Sequence, residues 1–226
     1  DQASGTSVTN NISVIGGSYF NNVSLGVCLR WGTVSTAVLN NITIDRISAY
    51  NNGTGKTIGA NATSVPAGGI GSYTQSKASI GTVGFQSFNM ICTNNYIYNN
   101  NGYGINIEGF ASNGPYQSCS NNIVTGNGAS LDVDSHSLWL GNSSQFVVEN
   151  NLVYSNFANA NATTGSGVGI FIDWNASSTA GGSDNIVRKN KIYNQYVGST
   201  LAAILAAGAG IIVLQNTNTV VESNLI

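Results

Sequence analysis

The sequence predicts an all-β solenoid, a chain of short parallel strands wound into about seven stacked coils, and three observations carry that prediction. A thirteen-residue block recurs through nearly the whole of the 226 residues. Within the aligned copies apolar residues keep to fixed columns, and from the third copy on an asparagine holds the same place in every block. A second apolar segment follows each block after a connection of variable length.

The first two copies, NNISVIGGSYFNN (10–22) and NNITIDRISAYNN (40–52), match without a gap. FNMICTNNYIYNN (88–100), PYQSCSNNIVTGN (115–127), SQFVVENNLVYSN (144–156) and SDNIVRKNKIYNQ (183–195) follow, and TVVESNLI (219–226) is a partial seventh copy. The fifth column reads Val14, Ile44, Cys92, Cys119, Val148, Val187, Val221 and the tenth Tyr19, Ala49, Ile97, Val124, Val153, Ile192, Ile226; both are expected to face inward. The eighth reads Gly17, Ile47, Asn95, Asn122, Asn151, Asn190, Asn224. Identical amides on parallel strands about 4.8 Å apart can hydrogen-bond up the stack, which satisfies them inside an apolar turn. The column is therefore expected to form an asparagine ladder.

The second segments are GVCLRW (26–31), GIGSY (69–73), GINIEG (104–109), SLWLGN (137–142), GIFIDW (169–174) and GIIVLQ (210–215). Alternation turns Val27, Ile70, Ile105, Leu138, Ile170 and Ile211 to one face, with Leu29, Ile107, Leu140, Ile172 and Val213 beside them. Each copy is then one coil of at least two strands, unable to bury its apolar face alone. The pattern resembles the right-handed parallel β-helix of the pectate-lyase-like superfamily, which implies an all-β fold for residues 1–226 as a single domain, either whole or an excerpt of a longer β-helix. The fold fixes no single activity.

Composition agrees. Gly and Asn suit tight corners that need positive φ, and only two prolines interrupt the run. Charged residues are 7% and the net charge is -2, so no basic stripe offers itself to nucleic acid, and so few ionisable groups lead one to expect a stability profile that is flat from about pH 3 to 7. The apolar stretch 201–214 is too short to cross a bilayer, for which about 20 residues are needed, and is read as a loop helix at 201–207 feeding a strand. One histidine and no Cys-x-x-Cys leave no metal-ligand spacing, and no cofactor is expected. Cys92 and Cys119 share the fifth column and read as small buried residues, while Cys28 points outward.

Eight N-x-S/T sequons, at Asn11, Asn22, Asn41, Asn52, Asn61, Asn142, Asn161 and Asn175, are candidate glycosylation sites. Asn11 with Asn41, and Asn22 with Asn52, share columns on adjacent coils, so glycans there would line one edge.

Chemistry is expected on the outward face of the second segments. Its two rows read Cys28, Gly71, Asn106, Trp139, Phe171, Ile212 and Arg30, Tyr73, Glu108, Gly141, Asp173, Leu214. Glu108 and Asp173 stand two coils apart, about 9.6 Å at the backbone, with only Gly141 between them. That spacing suits an acid and a base on either side of a glycosidic bond, for which roughly 6.5–9.5 Å is expected. Arg30, Tyr73, Asn106, Trp139, Phe171 and Trp174 are the ligand-binding candidates, the aromatic ones by stacking on sugar faces. Four long connections would wall one side of this face. One of them carries DVDSHS, whose Asp134-Ser135-His136 resembles the Asp-Pro-His of mannuronan C5-epimerases, with Ser135 in place of the proline. The resemblance implies acid and base roles for Asp134 and His136.

Two functions follow as expectations. One is an extracellular β-helix that binds or processes an extended glycan, as a glycoside hydrolase, lyase or epimerase-like enzyme, a neutral glycan being favoured because Lys56, Lys77, Arg188, Lys189 and Lys191 lie away from the row. The other is a structural or adhesive cell-surface glycoprotein. The first block begins within ten residues of Asp1 and the last strand stops in mid-block at Ile226, so subunits that stack head to tail into filaments are expected on that second reading.

Overall fold

The computed structural model describes residues 8–31, 38–53, 68–74, 87–111, 116–128, 136–158, 168–173, 182–197, 209–214 and 216–226. They form the right-handed parallel β-helix that the repeat predicts, in seven coils, with every strand pairing parallel. Each block supplies two strands instead of one. Its first half lies in a sheet running from Val8–Ile15 through Val38–Asp45, Ser87–Thr93, Gln117–Ser120, Phe146–Glu149 and Ile186–Arg188 to Val220–Glu222. Its second half lies in a sheet running from Ser18–Phe20 through Ser48–Tyr50, Tyr96–Tyr98, Ile123–Thr125 and Leu152–Tyr154 to Lys191–Tyr193. The second segments form the third sheet: Leu25–Trp31, Gly68–Thr74, Tyr103–Glu108, Leu138–Gly141, Ile170–Asp173 and Ile211–Val213.

Left-handed residues make the corners. At the seventh position of the block Gly16, Arg46, Asn94, Asn121, Asn150, Lys189 and Ser223 all have positive φ, and at the twelfth so do Asn21, Asn51, Asn99, Gly126, Ser155 and Asn194. A single αL residue reverses the chain sharply, and asparagine tolerates that conformation best after glycine. From the third block on, the αL residue at the seventh position is followed at once by a ladder asparagine. Asn95 donates from Nδ2 to Asn122 Oδ1 (3.0 Å), Asn122 to Asn151 (3.0 Å), Asn151 to Asn190 (2.9 Å) and Asn190 to Asn224 (2.9 Å). The side-chain oxygens also accept backbone N–H groups from the preceding coil, as Asn95 Oδ1 does from Ile47 (3.1 Å). Every rung thus satisfies turn backbone that the apolar interior cannot solvate.

A second ladder runs parallel to the expected one. Asn22, Asn52, Asn100, Asn127 and Asn156, which close the blocks, link by Nδ2-to-Oδ1 bonds of 2.8, 2.8, 2.8 and 3.0 Å. Between the ladders the fifth and tenth columns fill the core, joined by Ile42, Met90 and Phe146 from the first sheet and by Ile105, Leu138, Leu140 and Ile172 from the third. Cys92 and Cys119 stack in register there as thiols, and the hydrogen bond between them, with burial second, raises the Cys119 pKa; Cys28 is exposed, and none of the three forms a disulfide. Among the described residues no helix is long and apolar enough to cross a membrane. The helix expected at 201–207, and most of the four long connections, lie outside the described residues.

Candidate functional site

The third sheet brings its outward rows into the expected register. Trp139 pairs with Asn106 on one side and Phe171 on the other, and Gly141 pairs with Glu108 and Asp173. The two carboxylate-bearing positions therefore flank a glycine, two coils apart. Arg30 likewise pairs with Tyr73. The side chains of Arg30, Tyr73 and Asp173, and the whole of Asp134 and Trp174, lie outside the described residues.

The face is not the open groove that the sequence led one to expect. Asn106, Glu108, Trp139 and Phe171 are all buried, Glu108 being only 8% exposed. Space above Gly141 is taken as well: a Cβ built there would lie 3.0 Å from Glu108 Cγ and 3.4 Å from the Trp139 indole. The missing side chain makes room for these two neighbours. Glu108 is further fixed through its backbone, its N–H donating to Ser72 Oγ at 2.6 Å.

His136 is also buried. It packs on Phe171 at 4.5 Å between ring centroids, meets Trp139 edge-on at 5.4 Å and lies 6.1 Å from Tyr103. Tyr103 in turn packs on Trp139 at 5.5 Å, and Val168 and Ile212 fill in beside them. Burial lowers the His136 pKa from 6.5 to about 3. The ring is thus neutral at pH 7 and is not poised to shuttle a proton there, a correction to the acid or base role that the Asp-Ser-His resemblance implies.

Three buried polar atoms in this cluster have no hydrogen-bond partner among the described residues: Asn106 Oδ1, His136 Nδ1 and Trp139 Nε1. One is an acceptor, one a donor, and the imidazole nitrogen is either, according to tautomer. Leaving such a group unpaired costs about 1–3 kcal/mol. Three of them among four aromatic rings make a lining suited to a group that both donates and accepts and has apolar faces as well. A saccharide has that chemistry.

The sequons divide by burial. Asn11 and Asn41 are exposed, with the Asn41 Nδ2 donating to Asn11 Oδ1 at 3.0 Å, and Asn22 is exposed at the first rung of its ladder. Asn52 is wholly buried, and its Nδ2, the atom that would carry a glycan, donates to Asn100 Oδ1 and to the Tyr19 carbonyl; Asn142 is buried as well. A glycan on either is incompatible with the folded coil, which corrects the expectation for these two. Asn61, Asn161 and Asn175 lie outside the described residues.

Tyr103 was not singled out by sequence, since only its place beside the His136 cluster gives it meaning. Nor was the eleventh column, where Phe20, Tyr50, Tyr98, Tyr154 and Tyr193 recur on the outward face of the second sheet. Among the described residues no group of three or more His, Cys, Asp and Glu side chains converges to hold a metal ion.

No protein-family model and no curated protein matches the chain. Among solved structures, the A-module of the mannuronan C-5 epimerase AlgE4 of Azotobacter vinelandii superposes with a TM-score of 0.44 at 14% identity, over 96% of this chain and 55% of that one. The chain thus spans about half the length of that structure.

Proposed function

We propose that this β-helix binds an extended, predominantly neutral glycan on the outward face of its third sheet, at the cluster of Tyr103, Asn106, His136, Trp139 and Phe171. The observation that carries the reading is the set of three unpartnered buried polar atoms among stacked rings. Sugar hydroxyls accept from Trp139 Nε1 and donate to Asn106 Oδ1, while the ring faces take the C–H surface of a pyranose. Low charge and the scarcity of Lys and Arg favour a neutral glycan over a uronate. Entry requires the rings to part, so binding follows an opening of this face. An extracellular or cell-surface setting suits such a ligand.

On the processing form of this reading Glu108 and Asp173 supply the acid and the base, as in a glycoside hydrolase, lyase or epimerase, from strands held two coils apart by the Gly141 register. Tryptophan fluorescence during titration with cello-, manno- and xylo-oligosaccharides tests binding, with Trp139→Phe as the control that removes the signal. Reducing-end or unsaturated-product assays on the same glycans, with Glu108→Gln and Asp173→Asn, test processing. No response to any glycan sinks the proposal; a response without product leaves a binding module.

A further inference from the structure

The second sheet carries a feature that the third-sheet cluster does not use. On its outward face Phe20, Tyr50 and Tyr98 stack coil on coil, 5.0 and 4.7 Å between centroids and within 11° of parallel. Tyr96 joins them, 4.4 Å from Tyr98. The next coil presents Ile123 and Thr125 instead, and the row resumes with Tyr154 and Tyr193, 5.2 Å apart and again parallel to within 11°. Lys191 reaches over the Tyr193 ring at 5.3 Å. Phe20, Tyr96 and Tyr193 are 49%, 41% and 37% exposed.

We propose that this ring row is a second, independent glycan-binding surface, which holds one neutral polysaccharide chain lying along the axis of the β-helix. Its dimensions select the occupant. Six strands at about 4.8 Å spacing give a length of ~24 Å, and three residues per strand at about 3.3 Å give a width of ~10 Å. The footprint is roughly 240 Å², well under the ~800 Å² per partner that a stable protein interface needs, so neither a second copy nor another folded protein is held here. A single extended chain fits the strip.

Charge narrows the class further. Among the outward side chains of this sheet, Ser18, Ser48, Tyr96, Ile123, Leu152 and Lys191 in one row and the ring row in the other, Lys191 alone is charged. An acidic polymer would meet one cation along the whole strip. A neutral one meets ring edges, phenol hydroxyls and Thr125, and the break at Thr125 leaves Tyr98 and Tyr154 two coils apart, with room beside the rings for a pyranose to lie against them.

Native gel electrophoresis of the full chain in gels containing hydroxyethylcellulose, galactomannan, alginate or polygalacturonate tests this. The expected result is retardation by at least one neutral polymer and by neither acidic one. Tyr154→Ala should weaken it at least tenfold and Tyr154→Phe should restore it. Tyr193→Ser, at the exposed end of the row, provides a second variant if Tyr154→Ala does not fold, and should weaken retardation at least threefold. No retardation in any gel, retardation by the acidic polymers alone, or equal retardation of the wild type and both tyrosine variants overturns the proposal. Retardation that disappears in Trp139→Phe but persists in the tyrosine variants places binding on the third sheet and overturns this inference alone. An unchanged third-sheet fluorescence response alongside absent retardation has the same meaning.

Discussion

Acidification should destabilise this protein through one side chain. His136 has a pKa of about 3 in the folded state against 6.5 when solvated, so between those values the unfolded chain binds a proton that the folded chain refuses. Stability is complete above pH 6.5 and falls as the pH drops toward 3, at about 1.4 kcal/mol per pH unit. From pH 7 to 4.5 the loss comes to about 2.5 kcal/mol, a substantial part of the 5–15 kcal/mol typical of a domain. Composition alone, with 7% charged residues, leads to a flat profile over this range, so burial of one ring among Tyr103, Trp139 and Phe171 reverses the expectation. The assay is urea unfolding at pH 7.0, 6.0, 5.0 and 4.5, followed by fluorescence, for the wild type and for His136→Phe. Phenylalanine keeps most of the packing and cannot take up a proton, so the variant's profile should lack the wild-type slope while terms from carboxylates cancel in the comparison. Parallel profiles for the two proteins would refute the reasoning.

Other consequences are open to measurement. Asn122 accepts from the backbone N–H and Nδ2 of Asn95 and donates to Asn151 Oδ1 and the Cys92 carbonyl, so Asn122→Leu strands buried groups worth about 1–3 kcal/mol each and should cost roughly 3–5 kcal/mol in chemical denaturation. Two glycines should differ sharply in thermal melts. A Cβ on Gly104 would stand 2.4 Å from the Ser137 carbonyl oxygen and from Val124 Cγ1, so Gly104→Ala should cost about 3 kcal/mol or more, whereas Gly141→Ala meets chiefly the flexible Glu108 side chain and should cost within about 1 kcal/mol. In native protein a thiol reagent should modify Cys28 alone, with Cys92 and Cys119 reacting only on unfolding. After expression in a glycosylating host, peptide mapping should find Asn52 and Asn142 bare; a glycan on Asn52 would show that its ladder does not form.

Much of the architecture was legible because the solenoid repeats the same physical problem in every coil. The asparagine column at Asn95, Asn122, Asn151 and Asn190 announced a ladder, since amides stacked coil on coil in one apolar column can hydrogen-bond to one another. The register of Glu108, Gly141 and Asp173 followed from strand alternation alone. The second ladder was visible only as the closing residue of each block. Asn at a corner is equally explained by a left-handed backbone, yet it is Asn51 and Asn99, one place earlier, that take up that role. Exposure was the least legible property. Alternation says which way Trp139 and Asn106 point, yet it cannot say whether the face they point to meets water, and His136, apparently a loop residue, is held among their rings.

The indole N–H resonance of Trp139 tests the saccharide reading most directly. Trp139 Nε1 is, among the described residues, a buried donor without a partner, and Trp139→Phe identifies its peak among those of the three indoles in a nitrogen–proton correlation spectrum. Titration with a neutral oligosaccharide that quenches the fluorescence should move this peak downfield as a sugar hydroxyl accepts its proton. A Trp139 peak that stays in place while the glycan saturates the protein would contradict the assignment of the third-sheet cluster as the binding site.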